Sequence, residues 1–487
     1  MEVHTSNGGP RAPAVTLKAL EALFSGCDDF ISRDLDFGLT GRLLLTACWL
    51  DGPVSGDQIS EDVIRPLTSR LRAEEIFSEA ACFARVCAGG ITRCSLRELG
   101  DPEEVAGELC HGSCALLFPG LGTALCFEVR SSQTRSVSEP SLEKSLKGAK
   151  DSFTETLRVN TALVRQRLAT PDLKLLNSQL GRESRTRVSL LYLNSHVDPR
   201  VLTEVQRRLD ALDPEALLAT GPLEAALSDC PASPFPQLIH TERPDRFAMH
   251  LSQGRIGLLA DGLPIGLILP VDLSEFMKVT GDSSTHFLVA TQLSMLRWLA
   301  LITGALLPGF YVAVARFHQE MIPTRLLLSI IEAEKDVPFS TALEVLCMLL
   351  AFSLLQEAGL RMPNPIGDTV SIIGALIVGQ AAVEASLVSP LAIIVVAVSG
   401  ICCYTLPSQD LAFAVRLVRL LLVFGAILGG LYGMGLICCL VLLHLADLDS
   451  FGTNYTAPVS DGHPLGLLRL LIHLPQRRNG KRRRSDP

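Results

Sequence analysis

The chain has 487 residues, enough for two or three domains, and its apolar residues are concentrated beyond about residue 288. A formal net charge of -8 argues against a general role in nucleic-acid binding, because phosphate contacts need a basic surface. The first thirty residues lack the basic start and apolar core of a secretory signal. We therefore expect the N-terminal half to stay on the cytoplasmic side.

The 14 cysteines form no CxxC pair, and the adjacent pairs Cys402-Cys403 and Cys438-Cys439 lie in apolar runs where thiols usually pack. This pattern predicts a reducing compartment. Four residues could be considered as metal ligands, but their spacing fits no common zinc site: Cys94, Cys110, His111 and Cys114. We expect no metal and no cofactor.

The N-terminal half contains two strand-and-hairpin patterns. An apolar run ending near Trp49 precedes a turn at 51–53, and 112–128 predicts a β-hairpin around a glycine-rich turn. Further along the chain, 188–193 predicts a strand and 255–270 predicts a second hairpin around Asp261-Gly262.

The two patterns predict a duplicated α/β unit. Shifts of 142 or 143 positions align three pairs of residues: Leu116 with Leu258, Leu125 with Leu267, and Trp49 with Tyr192. The alternative is that short apolar hairpins resemble one another by chance. We expect one unit at 1–130 and a second at 151–285, joined by a Ser-, Thr-, Lys- and Glu-rich linker at 131–150.

The C-terminal half predicts a helical multi-pass membrane domain at 286–447, because a spanning helix needs roughly 20 mostly apolar residues. Four segments are expected to cross the bilayer, near 298–315, 366–385, 389–406 and 417–445. The segment 339–355 is short and contains Glu344, so we expect it to be interfacial, re-entrant or buried. The basic tail at 448–487 favours a cytoplasmic C-terminus, which makes the number of crossings even.

The helix at 366–385 predicts a pore. At about 100° per residue, five side chains form one stripe with an apolar constriction and polar mouths: Thr369, Ile373, Ile377, Gln380 and Glu384. The opposite face carries small residues suited to close helix packing: Ser371, Gly374, Ala375, Gly379 and Ala382. The alternative is that Gln380 and Glu384 satisfy partners inside the subunit, such as Arg416 or Arg419.

No catalytic grouping is evident. His240, Glu242 and Asp245 lie close in sequence, but they flank Arg243-Pro244 in a predicted loop where capping or solvated roles are more common. There is no GxSxG, HExxH or phosphate-binding glycine-rich loop. We therefore expect that the protein is not an enzyme.

Several stretches resemble one family, the A subunits of the nutrient-germinant receptors of endospore-forming bacteria, called the GerA family. The similarity extends over nearly the whole chain and includes these segments: 134–136 with 139–140, 160–167 (NTALVRQR), 233–236 (SPFP), 241–245 (TERPD), 317–324 (FHQEMIPT), 357–367 (EAGLRMPNPIG) and 379–385 (GQAAVEA). Two positions depart from the family pattern. Lys147-Gly148-Ala149-Lys150 replaces a common Gly-Pro-Arg or Gly-Pro-Lys step, and Asp368 replaces a glutamine.

The resemblance implies a multi-pass subunit of a receptor in the spore inner membrane. It would work with a transporter-like B subunit and a lipoprotein C subunit, and would form a homo-oligomer that conducts ions or relays the nutrient signal. A non-conducting scaffold and a secondary transporter are the alternatives. The loop with His318, Gln319 and Glu320 follows the first predicted crossing, and we expect it to contact a partner subunit.

Overall fold

The computed structural model describes residues 14–36, 44–54, 56–67, 69, 78–90, 95–129, 140, 143, 148–335, 337–361 and 379–457. The chain divides into two compact units. The first comprises Met1–Ser228 and Leu238–Pro270, and the second comprises Asp229–Gln237 and Val271–Pro487. The second unit contains the helical region and also includes a short loop from the α/β half.

The first subdomain of the α/β unit contains a five-stranded antiparallel sheet with the order β1-β2-β4-β5-β3. Its strands are β1 (Phe30–Asp36), β2 (Leu44–Leu50), β3 (Leu96–Leu99), β4 (Ser113–Phe118) and β5 (Thr123–Glu128). Its helices are α1 (Leu17–Leu23), α2 (Glu79–Arg85) and α3 (Pro102–Cys110), with shorter helical segments at Gly56–Gln58, Ile59–Ile64 and Val86–Gly90. The central strand β4 is buried on both faces, and one apolar cluster lies on each side of the sheet.

The second subdomain has a five-stranded antiparallel sheet with the order β6-β7-β9-β10-β8. Its strands are β6 (Leu173–Leu180), β7 (Thr186–Leu193), β8 (Ile239–Thr241), β9 (Ile256–Ala260) and β10 (Gly266–Leu269). Its helices are α4 (Leu157–Arg167), α5 (Pro199–Ala211), α6 (Gly221–Leu227) and α7 (Pro244–Ser252).

The shared strand order confirms the duplication, and the pairing register shows it residue by residue. Leu116 pairs with Leu125 in the first hairpin, and Leu258 pairs with Leu267 in the second. Each pair is shifted by the same 142 positions. Chance similarity of two apolar hairpins does not explain a matching order of all five strands. The α/β half is therefore a tandem repeat of one supersecondary unit.

A buried ion pair joins the two subdomains. The Arg165 side chain donates from Nε and Nη2 to both carboxylate oxygens of Asp29, each at 2.8 Å. Arg165 is fully buried and Asp29 is 5% exposed. Burial alone would lower the pKa of Arg165, but the adjacent Asp29 carboxylate raises it, so the guanidinium stays charged. A second contact between the subdomains lies nearby, where the backbone amide of Leu175 in β6 donates to the Gly26 carbonyl of the first subdomain. The segment around Gly26 therefore covers the edge of β6.

The helical unit contains α8 (Phe287–Phe317), α9 (Thr324–Glu334), α10 (Thr341–Arg361), α11 (Pro390–Tyr404) and α12 (Gln409–Asp447). Among the described residues, three helices are long and apolar enough to cross a bilayer: Phe287–Phe317, Thr341–Ala358 and Gln409–Asp447. The α/β half is therefore followed by a helical region with candidate membrane spans, as the sequence predicts. The segment expected to be interfacial forms one of these three helices, and α11, expected to cross, has only 15 residues.

The long apolar run at 417–445 is not one straight helix, because α12 reverses direction at Gly429-Gly430. Gly430 has φ +57° and ψ -139°, a backbone conformation that only glycine adopts readily. After the reversal, a Cβ on Gly433 would lie only 2.2 Å from the carbonyl oxygen of Gly425. The two halves of α12 therefore pack backbone to backbone, and the glycines permit this close approach.

Candidate functional site in the helical region

The polar end of the predicted stripe lies at the surface of the helical unit. Gln380 and Glu384 are exposed, whereas Ala382, on the opposite face, packs against the apolar core. Gly379 faces open space. In the described part of the chain, Glu384 has no ion pair or hydrogen bond from its side chain. The other predicted positions fall outside the described residues: Thr369, Ser371, Ile373, Gly374, Ala375 and Ile377.

Arg416 and Arg419 do not pair with Gln380 or Glu384. Arg419 is 3% exposed, and its Nη1 donates to Ser399 Oγ at 3.1 Å. Ser399 in turn donates to the Gly304 carbonyl at 2.7 Å. This chain of hydrogen bonds connects α12, α11 and α8. Among the residues described, neither arginine contacts a carboxylate, so these arginines leave the Glu384 charge uncompensated.

The loop after α8 packs partly against its own chain. The His318 ring lies 6.3 Å from the Tyr432 ring, and it would be 3.1 Å from a Cβ placed on Gly430. Gln319 Nε2 donates to the Ala315 carbonyl at 2.9 Å, and Glu320 is exposed. His318 therefore supports the reversal of α12, while Gln319 and Glu320 keep exposed surface.

A bidentate ion pair fixes the start of α8. Arg297 donates from Nη1 and Nη2 to the two carboxylate oxygens of Asp282, each at 2.7 Å, and Nη1 also donates to the Met277 carbonyl at 3.1 Å. Both side chains are largely buried. The short helical turns that precede α8, at Leu273–Met277 and Thr280–Ser284, are therefore held to its third turn rather than free to move.

The SPFP segment is part of the helical unit. Ser233 Oγ lies 2.8 Å from Nε2 of His444, near the end of α12, and the Phe235 ring contacts both His444 and Tyr455. Tyr455 is fully buried and also packs against Phe276. Three segments distant in sequence therefore meet here: 229–237, 271–279 and 444–457. Sequence reasoning identified SPFP only by resemblance and assigned it no contact.

The loop residues considered for acid–base chemistry have structural partners instead. His240 Nε2 lies 2.9 Å from Glu224, and this hydrogen bond lowers the pKa of Glu224. Arg243 donates from Nε and Nη2 to the Asp245 carboxylate. Burial alone would raise the pKa of Asp245. The hydrogen bonds and positive charge of Arg243 outweigh this effect, so the pKa of Asp245 is lowered. These groups form ion pairs within the second subdomain.

Thiols of the first subdomain are poorly suited to chemistry or metal binding. Burial raises the pKa of Cys48 and of Cys110 to about 12, so both stay protonated near neutral pH. The described residues hold no group of three or more His, Cys, Asp or Glu side chains placed to bind a metal ion. These cysteines pack as small apolar residues.

The family described as Bacillus/Clostridium GerA spore germination protein matches residues 18–485. This match spans nearly the whole chain. The chain belongs to the GerA family. One relative is spore germination protein KA of Bacillus subtilis, which is 32% identical over 94% of this chain and 83% of its own length. Spore germination protein A1 of the same species is 35% identical over 74% of this chain and 75% of its own.

A further relative is the uncharacterized membrane protein YfkQ of Bacillus subtilis, 34% identical over 94% of this chain and 88% of its own length. Among solved structures, the N-terminal domain of the A subunit of the Bacillus megaterium germinant receptor GerK3 is 25% identical. The match covers 55% of this chain and 98% of the solved domain, with a TM-score of 0.43.

The segments that carry the GerA resemblance occupy definable places in the fold. FHQEMIPT ends α8 and leads into α9, SPFP meets the end of α12, and the polar residues of GQAAVEA are exposed beside α11. In this member of the GerA family, these three segments therefore lie at or beside the ends of helices.

Proposed function

We propose that this chain is the A-type subunit of a nutrient-germinant receptor in the spore inner membrane, and that it forms a homo-oligomer whose 366–385 segment lines a cation pathway. Transporter-like B and lipoprotein C subunits would be its partners, and both its N-terminal half and its tail would face the spore core. The family match and the A-subunit relatives support the receptor role.

One observation carries the conduction proposal, the exposure of Glu384 beside an apolar bundle. A carboxylate there is costly unless it meets water, a cation or another subunit. Ala382 packs inward on the neighbouring turn, so Glu384 points away from the core of its own subunit. A ring of such carboxylates around a symmetry axis would attract cations. The scaffold alternative gives Glu384 no role.

Spores that carry Ile377→Ser should germinate without nutrient, because a polar residue at the proposed constriction hydrates it and opens the pathway. Spores with Glu384→Gln should respond to nutrient but release cations more slowly, by about tenfold for a loss of 1.4 kcal/mol. Ion release and loss of refractility are the measurements. Ile394→Ser, at an exposed position of α11, is the matched control and should leave dormancy unchanged. Dormant Ile377→Ser spores with normal subunit levels would exclude this stripe from the pathway.

The loop with Gln319 and Glu320 is proposed as a contact for a partner subunit, since both side chains are exposed while His318 packs on its own chain. A photo-crosslinker at position 320 should capture another receptor subunit, whereas one at 332, on the exposed side of α9, serves as the control. Capture of lipid alone from position 320 would contradict this assignment.

A further inference from the structure

A cluster of oxygen-bearing side chains is enclosed where four helices of the helical unit meet. It comprises Tyr311 of α8, Glu334 at the end of α9, Thr341 and Glu344 in the first turn of α10, and Ser389 at the start of α11. Glu344 and Ser389 are each 1% exposed, and Tyr311 is 9% exposed. None of these five residues belongs to the proposed stripe or to the loop with His318, Gln319 and Glu320.

The cluster leaves two buried oxygens without a hydrogen bond. One carboxylate oxygen of Glu344, Oε2, accepts from the Ser389 amide at 2.9 Å. The other, Oε1, has no partner, and the Tyr311 hydroxyl lies within reach of the Ser389 side chain but forms no hydrogen bond of good geometry. Buried polar atoms are nearly always satisfied, so the unpaired carboxylate oxygen of Glu344, in the same enclosed cluster as the Tyr311 hydroxyl, indicates a missing partner.

The cluster also carries uncompensated negative charge. Glu334 accepts from Thr341 Oγ1 at 2.9 Å, and its carboxyl group is close enough to those of Glu344 and the Tyr311 hydroxyl to act on them electrostatically. Within the part of the chain that the structure describes, no Lys, Arg or His forms an ion pair with Glu334 or Glu344. The positive end of the α11 dipole offsets part of the Glu344 charge, at Oε2 only.

We propose that Glu344, Glu334 and Tyr311 form a binding site for a hard divalent cation of the Ca²⁺ class. Carboxylate and hydroxyl oxygens are the ligands such ions prefer, with water completing the coordination. Two carboxylates match the charge of a divalent ion. Glu334 is only partly buried, so one carboxylate of the cluster meets the surface of the unit.

A bound cation would stabilise the bundle, because its ligands come from three different helices, α8, α9 and α10. The site does not depend on conduction by the 366–385 segment. The cation site is tested by ion binding to the resting protein, whereas the proposed function is tested by ion flux. A failure of one proposal can therefore be distinguished from a failure of the other.

The test is equilibrium binding of ⁴⁵Ca²⁺ to the purified full-length chain in detergent, together with thermal unfolding at constant ionic strength in Ca²⁺, Mg²⁺ or K⁺. We expect saturable binding of Ca²⁺ near one ion per chain and an upward shift of Tm that K⁺ does not produce. Glu344→Gln should abolish both effects, and Tyr311→Phe should weaken binding by about 10- to 100-fold. Glu332→Gln, on the exposed side of α9, is the charge-matched control and should bind like the unmodified chain.

Three results would overturn the proposal. The first is the absence of saturable Ca²⁺ or Mg²⁺ binding to the unmodified chain, which does not depend on whether any variant folds. The second is unchanged binding in a folded Glu344→Gln chain. The third is a Tm that rises as the pH falls but does not change with any added metal ion. This result would mean that a proton on Glu344 or Glu334, rather than a metal ion, neutralises the cluster.

Discussion

Replacing Arg165 with methionine is expected to destabilise the α/β half by about 3–5 kcal/mol, because it leaves the Asp29 carboxylate buried without its counter-ion. The bidentate pair lies between the two subdomains, so the loss should appear as local opening of both sheets. Hydrogen–deuterium exchange of peptides from β1 and β6 in the full-length chain measures this directly.

The same helix offers a matched control. Arg158 pairs with Asp51 at 2.7 Å, but both side chains are more than 40% exposed, so Arg158→Met should cost less than about 1 kcal/mol. The double variant Arg165→Met with Asp29→Leu should regain most of the lost protection, since it removes the unpaired charge. Equal exchange in Arg165→Met and Arg158→Met would show that the buried pair does not hold the subdomains together.

Replacing Gly433 with leucine is expected to force the two halves of α12 apart. Even a Cβ at this position would lie 2.2 Å from the Gly425 carbonyl oxygen, and backbone cannot yield as a side chain can. We expect a loss above the usual 1–3 kcal/mol or so for overpacking, measured as a fall in Tm of the detergent-solubilised chain.

Gly435→Leu is the control for Gly433→Leu, because a Cβ at Gly435 meets no heavy atom within 4 Å. It is also a glycine of the same half-helix, so the change in helix propensity is matched. A similar Tm for the two variants would mean that α12 is not held as a close-packed hairpin.

The tandem repeat could be predicted from sequence because the buried strands of both hairpins are apolar and their turns carry glycine. The offset of 142 positions between the hairpins is also found in their pairing, since Leu116 pairs with Leu125 and Leu258 pairs with Leu267. Strands β1 and β3 were not predicted. They lie at the edges of the sheet, where polar side chains such as Arg33 and Arg97 are tolerated. These residues interrupt the alternation of apolar and polar positions on which strand prediction depends.

The helical unit shows why sequence alone predicts less of a membrane region. Both halves of α12 are apolar, so periodicity cannot locate the reversal, and only the Gly429-Gly430 pair marks it. Glu344 stood out as a charge in an apolar run. Its partner Ser389 is 45 residues away, a contact that no local pattern contains. Gln380 and Glu384 are exposed, and the pore remains a proposal.

Single-channel recording from the purified oligomer in a planar bilayer tests most directly whether this GerA-family chain contributes a cation pathway. The Ile377→Ser chain should give cation-selective currents without nutrient, and adding Glu384→Gln should reduce both conductance and cation selectivity. The Ile394→Ser control should stay closed. Silent bilayers containing correctly assembled Ile377→Ser oligomers, or currents that Glu384→Gln leaves unchanged, would contradict the claim.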